Sequence, residues 1–179
     1  MADNNKVRFG LKNVYYAKRT VSAGAVTYGT PVAIPGAVNL DLSPEGSTDP
    51  FYADNVTYYV AQANNGYSGS LEVAKIPQAM LTDIWGFTTA NDVMIENADT
   101  EPSSFALAFQ IDGDATDQYH LLYNVSAARP NIGSATIEAS KTPQTQTVDI
   151  TAIADESGNV RAVGDATGTI STWMTGLLT

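Results

Sequence analysis

The stretch Asn55-Val-Thr-Tyr-Tyr-Val-Ala-Gln-Ala-Asn-Asn-Gly-Tyr-Ser-Gly-Ser-Leu-Glu-Val73 decides the fold class. Two strand-like runs meet at Asn65-Gly66, the commonest sequence signal for a tight hairpin with positive φ at both turn residues. The expected register sets Asn64 against Tyr67, Gln62 against Gly69, Val60 against Leu71 and Tyr58 against Val73. Side chains alternate along a strand, so such a hairpin has two unlike faces. Val56, Tyr58, Val60, Leu71 and Val73 form its expected core face. Thr57, Tyr59, Ala61, Ala63, Ser68, Ser70 and Glu72 form the other, which is small, polar and acidic.

A short helix is expected directly after it. Pro77 suits a first helical turn, where its missing N–H costs nothing, and Gly86 suits the position just past the end. Met80, Leu81, Ile84 and Trp85 make one apolar stripe at helical spacing, read as core packing.

A chain of 179 residues with 44% hydrophobic residues is long enough to bury a core as one domain, expected to span 1–179. The absence of cysteine rules out disulfides, thiol catalysis and thiolate metal sites. Met1-Ala2-Asp3-Asn4-Asn5-Lys6 lacks the apolar run of a signal peptide. No apolar stretch approaches the ~18 residues of a membrane span, so a soluble protein made in a cytoplasm is expected. Charge is unevenly spread. Residues 1–19 carry five cations (Lys6, Arg8, Lys12, Lys18, Arg19) against Asp3, a net +4, and the remaining 160 residues carry a net −14. An acidic body repels nucleic acid as a whole. A basic front end has a use if it meets a neighbouring copy's acidic body, which makes Lys6, Arg8 and Lys12 a candidate inter-subunit strand. The alternative is a solvated basic tail.

Along the chain, residues 1–5 read as disordered and Val7–Arg19 as a strand with a bulge near Asn13. Ser22-Ala23-Gly24 is a turn, followed by short edge strands around 26–28 and 32–34. Val38, Leu40 and Leu42 alternate with polar residues as a half-buried strand. Pro44–Asp54 then reads as a long loop holding Phe51 and Tyr52. Long loops with aromatics are more often contact surfaces than idle connections, although the aromatics folding back onto their own core is the rival reading. Further strands are expected at 93–95, 105–111, 119–127, 145–154 and 160–163. Tyr119, Leu121, Tyr123, Val125 and Ala127 are placed on one face. A terminal helix from about Thr169 carries Ile170, Trp173, Met174, Leu177 and Leu178 at helical spacing. This is a mainly β protein: an antiparallel β-sandwich with a flanking short helix and a C-terminal helix.

No catalytic constellation emerges. The single histidine, His120, lies mid-strand without a marked nucleophile partner and is read as structural or at the surface. Gly66-Tyr-Ser-Gly69 lacks nucleophile-elbow spacing. Asp112-Gly-Asp-Ala-Thr-Asp117 lacks the downstream glutamate of a calcium loop, and Gly164-Asp-Ala-Thr-Gly168 has no P-loop lysine. No enzyme activity, cofactor or metal is expected.

Several runs do carry a resemblance. Asn5-Lys-Val-Arg-Phe-Gly-Leu-Lys-Asn-Val-Tyr-Tyr-Ala17, Tyr28-Gly-Thr-Pro-Val32, Ile34-Pro-Gly-Ala-Val38, Ser43-Pro-Glu-Gly46, Pro50-Phe-Tyr-Ala-Asp-Asn55 and Ala63-Asn-Asn-Gly-Tyr-Ser-Gly69 are similar to bacteriophage major tail proteins, the tail tube subunits of long non-contractile tails. Ile95–Asp99, Leu122–Asn124, Ala128–Pro130 and Pro143–Thr145 extend the likeness over nearly the whole chain in order. The resemblance implies a β-sandwich that closes into hexameric, barrel-like rings. These stack into a hollow tube around a tape-measure protein, capped by tail terminator and distal tail proteins, and later conduct genomic DNA without specific binding. It implies a virion protein assembled in the host cytoplasm and without membrane contact. The immunoglobulin-like domain that some relatives add is expected to be absent. Against that background, Pro44, Glu45, Gly46, Asp49, Pro50, Phe51, Tyr52 and Asp54 become candidate inter-ring contacts, and Thr57, Tyr59, Ala61, Ser68, Ser70 and Glu72 a candidate lumen face. Two alternatives stay open. One is another phage structural protein such as a tail terminator or head–tail connector. The other is a carbohydrate-binding β-sandwich using Tyr15, Tyr16, Tyr58 and Tyr59 as a platform.

Overall fold

The computed structural model describes residues 5–134, 136 and 143–179. In chain order its elements are β1 (Arg8–Ser22), β2 (Ala25–Tyr28), β3 (Val32–Ala33), β4 (Ala37–Glu45), β5 (Thr48–Ala53), β6 (Val56–Gln62), β7 (Gly66–Val73), α1 (Gln78–Trp85), β8 (Thr88–Ala90), β9 (Val93–Ile95), β10 (Phe105–Gly113), β11 (Gln118–Ala127), β12 (Gln146–Ile153), β13 (Arg161–Asp165) and α2 (Ile170–Leu177). Nine strands form one sheet in the order β2-β1-β10-β11-β12-β7-β4, with β3 added beside β1 and β13 beside β11. β5–β6 and β8–β9 are separate two-stranded ribbons. Every pairing is antiparallel.

The expected pair of sheets is one continuous sheet that curls. β3 pairs with β1 at one end of the path, and four residues later the chain begins β4 at the other end, paired with β7. β4 is thereby brought against β1. The two ends enclose a sandwich-like core of Val14 and Tyr16 from β1, Leu71 and Val73 from β7, and Val148 and Ile150 from β12. Fully burying each such side chain contributes roughly 1.5–3 kcal/mol.

α1 spans eight residues, too short to persist alone, so packing holds it. Met80, Ile84 and Trp85 bury into the core, and the αL conformation of Gly86 (φ 66°) ends the helix as its sequence position indicates. The Trp85 indole N–H donates to the Ala128 carbonyl (3.0 Å), and the Tyr16 hydroxyl donates to Asp83 Oδ2 (2.9 Å). α2 covers the opposite face of the sheet. Ile170 and Met174 settle on Ala17, Ala106 and Ala108, whose short side chains let the helix approach closely. Thr169 caps it by accepting from the Thr172 N–H. With α1 beneath one face and α2 on the other, β10 is buried on both sides from Phe105 to Gln110.

Several expectations hold. β1 shifts register between Lys12 and Tyr15, and Asn13 sits there at φ 51°, the bulge its spacing indicates. Ala23-Gly24 turns β1 into β2 with both residues at positive φ. β12 buries Val148, Ile150 and Ala152 and exposes Asp149 and Thr151.

Three expectations need correction. The central hairpin at Asn65-Gly66 does not exist: β6 pairs with β5, and β7 pairs with β4 and β12. The residues that make the tight turn are Asp54 (φ 51°) and Asn55 (φ 62°), both of types that tolerate the left-handed region. Gly66 serves close approach instead, since a Cβ there would overlap the Ala152 carbonyl oxygen of β12. Second, β11 does not keep one phase. A register shift separates Phe105↔Val125 from Leu107↔Leu122, so Tyr119, Leu121 and Tyr123 face α2 while Val125 and Ala127 face the main core. Third, the disorder expected over 1–5 lies outside the described residues for 1–4 but does not extend to Asn5. Its side chain donates to the Thr116 carbonyl (2.7 Å) and accepts from the N–H groups of Ala115 (3.0 Å) and Thr116 (2.8 Å).

Of the structural and surface positions open to His120, the buried one is observed. It is 3% exposed and stacks on Phe109, ring centroids 5.0 Å apart. Neither ring nitrogen has a hydrogen-bond partner. Burial, then the nearby Arg161 and Arg8 charges, lower its pKa from 6.5 to about 4. The unfolded chain therefore binds this proton first as pH falls. Stability contributed by the neutral ring is complete above about 6.5 and is lost as pH drops through about 4, in total about 3 kcal/mol. His120→Leu is expected to remove that loss, so the variant should lose about 2 kcal/mol less than the wild type between pH 7 and pH 5. Urea midpoints at the two pH values check this, and equal losses in both proteins refute it.

Candidate assembly surfaces

β4 and β7 pair antiparallel from Ala37↔Val73 to Glu45↔Gly66. The two chains then leave the sheet together. Asn65 N–H donates to the Glu45 carbonyl (2.8 Å) and Ala63 N–H to the Ser47 carbonyl (2.9 Å), leading into the β5–β6 ribbon. The Pro44–Asp54 segment is thus no loop. Pro44 and Glu45 end β4, Gly46 follows, and Asp49, Pro50, Phe51 and Tyr52 belong to β5, with Asp54 in the turn. The result is an arm, and every residue of β6 is exposed.

Each face of the arm carries an apolar pair. Phe51 pairs with Tyr59 on one face and Pro50 with Val60 on the other. Phe51, Tyr52, Val56, Tyr58, Tyr59 and Val60 are all among the large exposed apolar side chains. The rival reading, in which Phe51 and Tyr52 fold back on their own core, is excluded by their 60% and 64% exposure. The expected core role of Val56, Tyr58 and Val60 is also corrected, while Leu71 and Val73 are buried as expected. An isolated two-stranded ribbon is at best marginal in water, and this one leaves its large apolar side chains exposed.

The candidate lumen face divides in the same way. Thr57, Tyr59 and Ala61 lie on the arm and share no hairpin with Ser68, Ser70 and Glu72 of β7. The β7 residues instead join a grid across three strands. Its rows are Asn39–Glu72–Thr147, Asp41–Ser70–Asp149 and Ser43–Ser68–Thr151. This surface points away from the core side of Leu71, Val148 and Ile150, and no Lys or Arg occurs in β4, β7 or β12. Thr145 Oγ1 donates to Glu72 Oε1 (2.5 Å), and the Ser68 hydroxyl donates to Glu45. The signal for the grid was present in the sequence as three alternating strands of like composition, but their adjacency was not.

The basic strand is partly neutralised within its own chain. Lys12 Nζ lies 2.7 Å from Asp112 Oδ1 and 3.1 Å from Asp117 Oδ2. These partners raise the Lys12 pKa, Asp112 first, and Lys12 in turn holds Asp117 below its usual value. The two aspartates thus clasp a lysine, and among the described residues no cluster of His, Asp and Glu is arranged for a metal ion. Lys6 and Arg8 remain exposed beside Val7 (51%) and Phe9 (70%), so this end of β1 is both basic and apolar.

The platform reading loses a member, because Tyr16 is fully buried. Arg129, by contrast, is exposed at the end of β11 and lies 3.3 Å from Glu96. Among the described residues no helix is long and apolar enough to cross a membrane. Neither a scan against protein-family models nor a search of curated proteins finds a match for the chain.

Proposed function

We propose that the chain is the subunit of a hollow tube, the tail tube of a long non-contractile phage tail, built from stacked hexameric rings. The single observation that carries the reading is the arm, whose Phe51, Tyr52, Tyr58 and Tyr59 are exposed and covered by no described residue of the same chain. An exposed surface of this kind is what a self-assembling subunit buries on a second copy. The sequence resemblance, which extends over nearly the whole chain, supplies the architecture and the partners: tape-measure protein, tail terminator, distal tail protein and passing DNA. The mainly β fold flanked by two short helices agrees with it.

Within the tube, the arm reaches the adjoining ring. The cation-free grid on β4, β7 and β12 faces the channel, replacing the single-hairpin face expected from sequence. Lys6 and Arg8, with Val7 and Phe9, form part of the contact within a ring. Negative-stain imaging of concentrated protein is expected to show hollow filaments of uniform width. Protein that stays monomeric, or that forms closed rings which never stack, overturns the proposal and in the second case favours a terminator or connector.

A further inference from the structure

A groove lies between the approach to α1, the residue just past its end and the segment that follows β11. It encloses about 430 Å3, with Ile76, Leu81 and Phe87 as its apolar floor and Ile132 at its edge. Ile132 is 98% exposed, a large apolar side chain left in water. On the rim, where Glu96 lies 3.3 Å from Arg129, stand two cations, Lys75 and Arg129. They are two of only four cations in the 160 residues beyond Arg19, and Lys75 is the only one between Thr20 and Ala128.

The arm is the complement of this groove. It carries exposed aromatics together with Asp49 and Asp54, and it contains no cation. We propose that the groove receives the arm tip of a second copy of the chain. Tip aromatics pack on Phe87 and Ile132, and the Asp54 carboxylate at the turn meets Lys75. The volume suits side chains of the tip rather than the whole ribbon, whose strands alone lie about 4.8 Å apart. Asp54 opposite Lys75 sets which way the arm enters. The docking rests on the tube reading, and it names the surface that the arm seeks there.

The chain has no cysteine, which makes a crosslink unambiguous. Tyr52→Cys/Ile132→Cys protein, assembled and then oxidised, is expected to run as a ladder of disulfide-linked copies on a non-reducing gel. Each single-cysteine variant should stop at dimers. Filaments of the double variant without a ladder overturn the docking, as does a disulfide closed within one copy, which would place the arm on its own groove. A second variant guards against a double-cysteine protein that fails to assemble. Lys75→Glu is expected to slow filament growth about tenfold or more, and adding Asp54→Asn, which removes the opposing like charge, to restore part of it. Growth of the charge-reversed protein at the wild-type rate overturns the docking by itself. Wild-type protein that forms no filament overturns the tube reading, and the docking with it, so the two failures are told apart.

Discussion

Cutting out the arm is expected to give a folded subunit that no longer polymerises. Glu45 and Gly66 already face each other across the β4–β7 ladder, so a short Asn-Gly turn in place of residues 46–65 closes the hairpin where the arm begins. The nine-stranded sheet and both packed clusters keep all their members, because no arm residue belongs to either. Stability should therefore change by less than about 1 kcal/mol, the range of substitutions that touch no core feature. Assembly should suffer far more. Aromatic anchors at the centre of an interface contribute 2 kcal/mol or more each when truncated, and the arm offers Phe51, Tyr52, Tyr58 and Tyr59. Loss of two such anchors corresponds to a critical concentration raised about several hundredfold or more. Thermal unfolding and electron microscopy on the same sample check both halves. Normal tubes from the armless subunit would show that rings stack by some other surface.

The same arm shows where sequence reading stops. Alternation in Val56, Tyr58 and Val60 correctly indicates a strand with an apolar face, but alternation does not say which molecule covers that face. The pattern alone points to a core, and the apolar surface is exposed within the chain. The hairpin turn was misplaced for a related reason. Asn-Gly is the stronger local signal, yet β7 is claimed by β12, some eighty residues away, and Gly66 is needed for that approach. Asp54-Asn55 makes the turn with two residues that reach positive φ less readily than glycine. Asn91-Asp92 repeats the device between β8 and β9. Where a signal was purely local, as in the alternation of β12, the Asn13 bulge, the Gly86 cap and the stripe of α2, it was legible. Lys12 illustrates the limit for charge: a net +4 over a segment cannot show that one cation already lies between Asp112 and Asp117.

Glu72→Lys is expected to build tubes that retain DNA. Across the ladder Glu72 faces Asn39 on one side and Thr147 on the other, both uncharged, so reversing it leaves no cross-strand cation clash within the subunit. Its side chain is half-buried on the polar grid and accepts only from Thr145 Oγ1 among the contacts described, so the fold tolerates the change. The functional effect follows from repetition. In a stacked tube each subunit swaps one channel anion for a cation, and DNA passing through meets a periodic row of them. Binding by phosphate neutralisation releases counterions, and with six or more contacts it weakens roughly a thousandfold between about 50 and 200 mM salt. Wild-type tubes, with Asp41, Glu72 and Asp149 on this face, should retain no duplex at either salt. Variant tubes should retain it at the lower salt and release it at the higher, and a phage carrying the substitution should eject its genome slowly or incompletely. Variant tubes that bind no more DNA than the wild type, or an assembled structure with Glu72 on the outer wall, would remove the β4–β7–β12 face from the channel while leaving the arm and its role untouched.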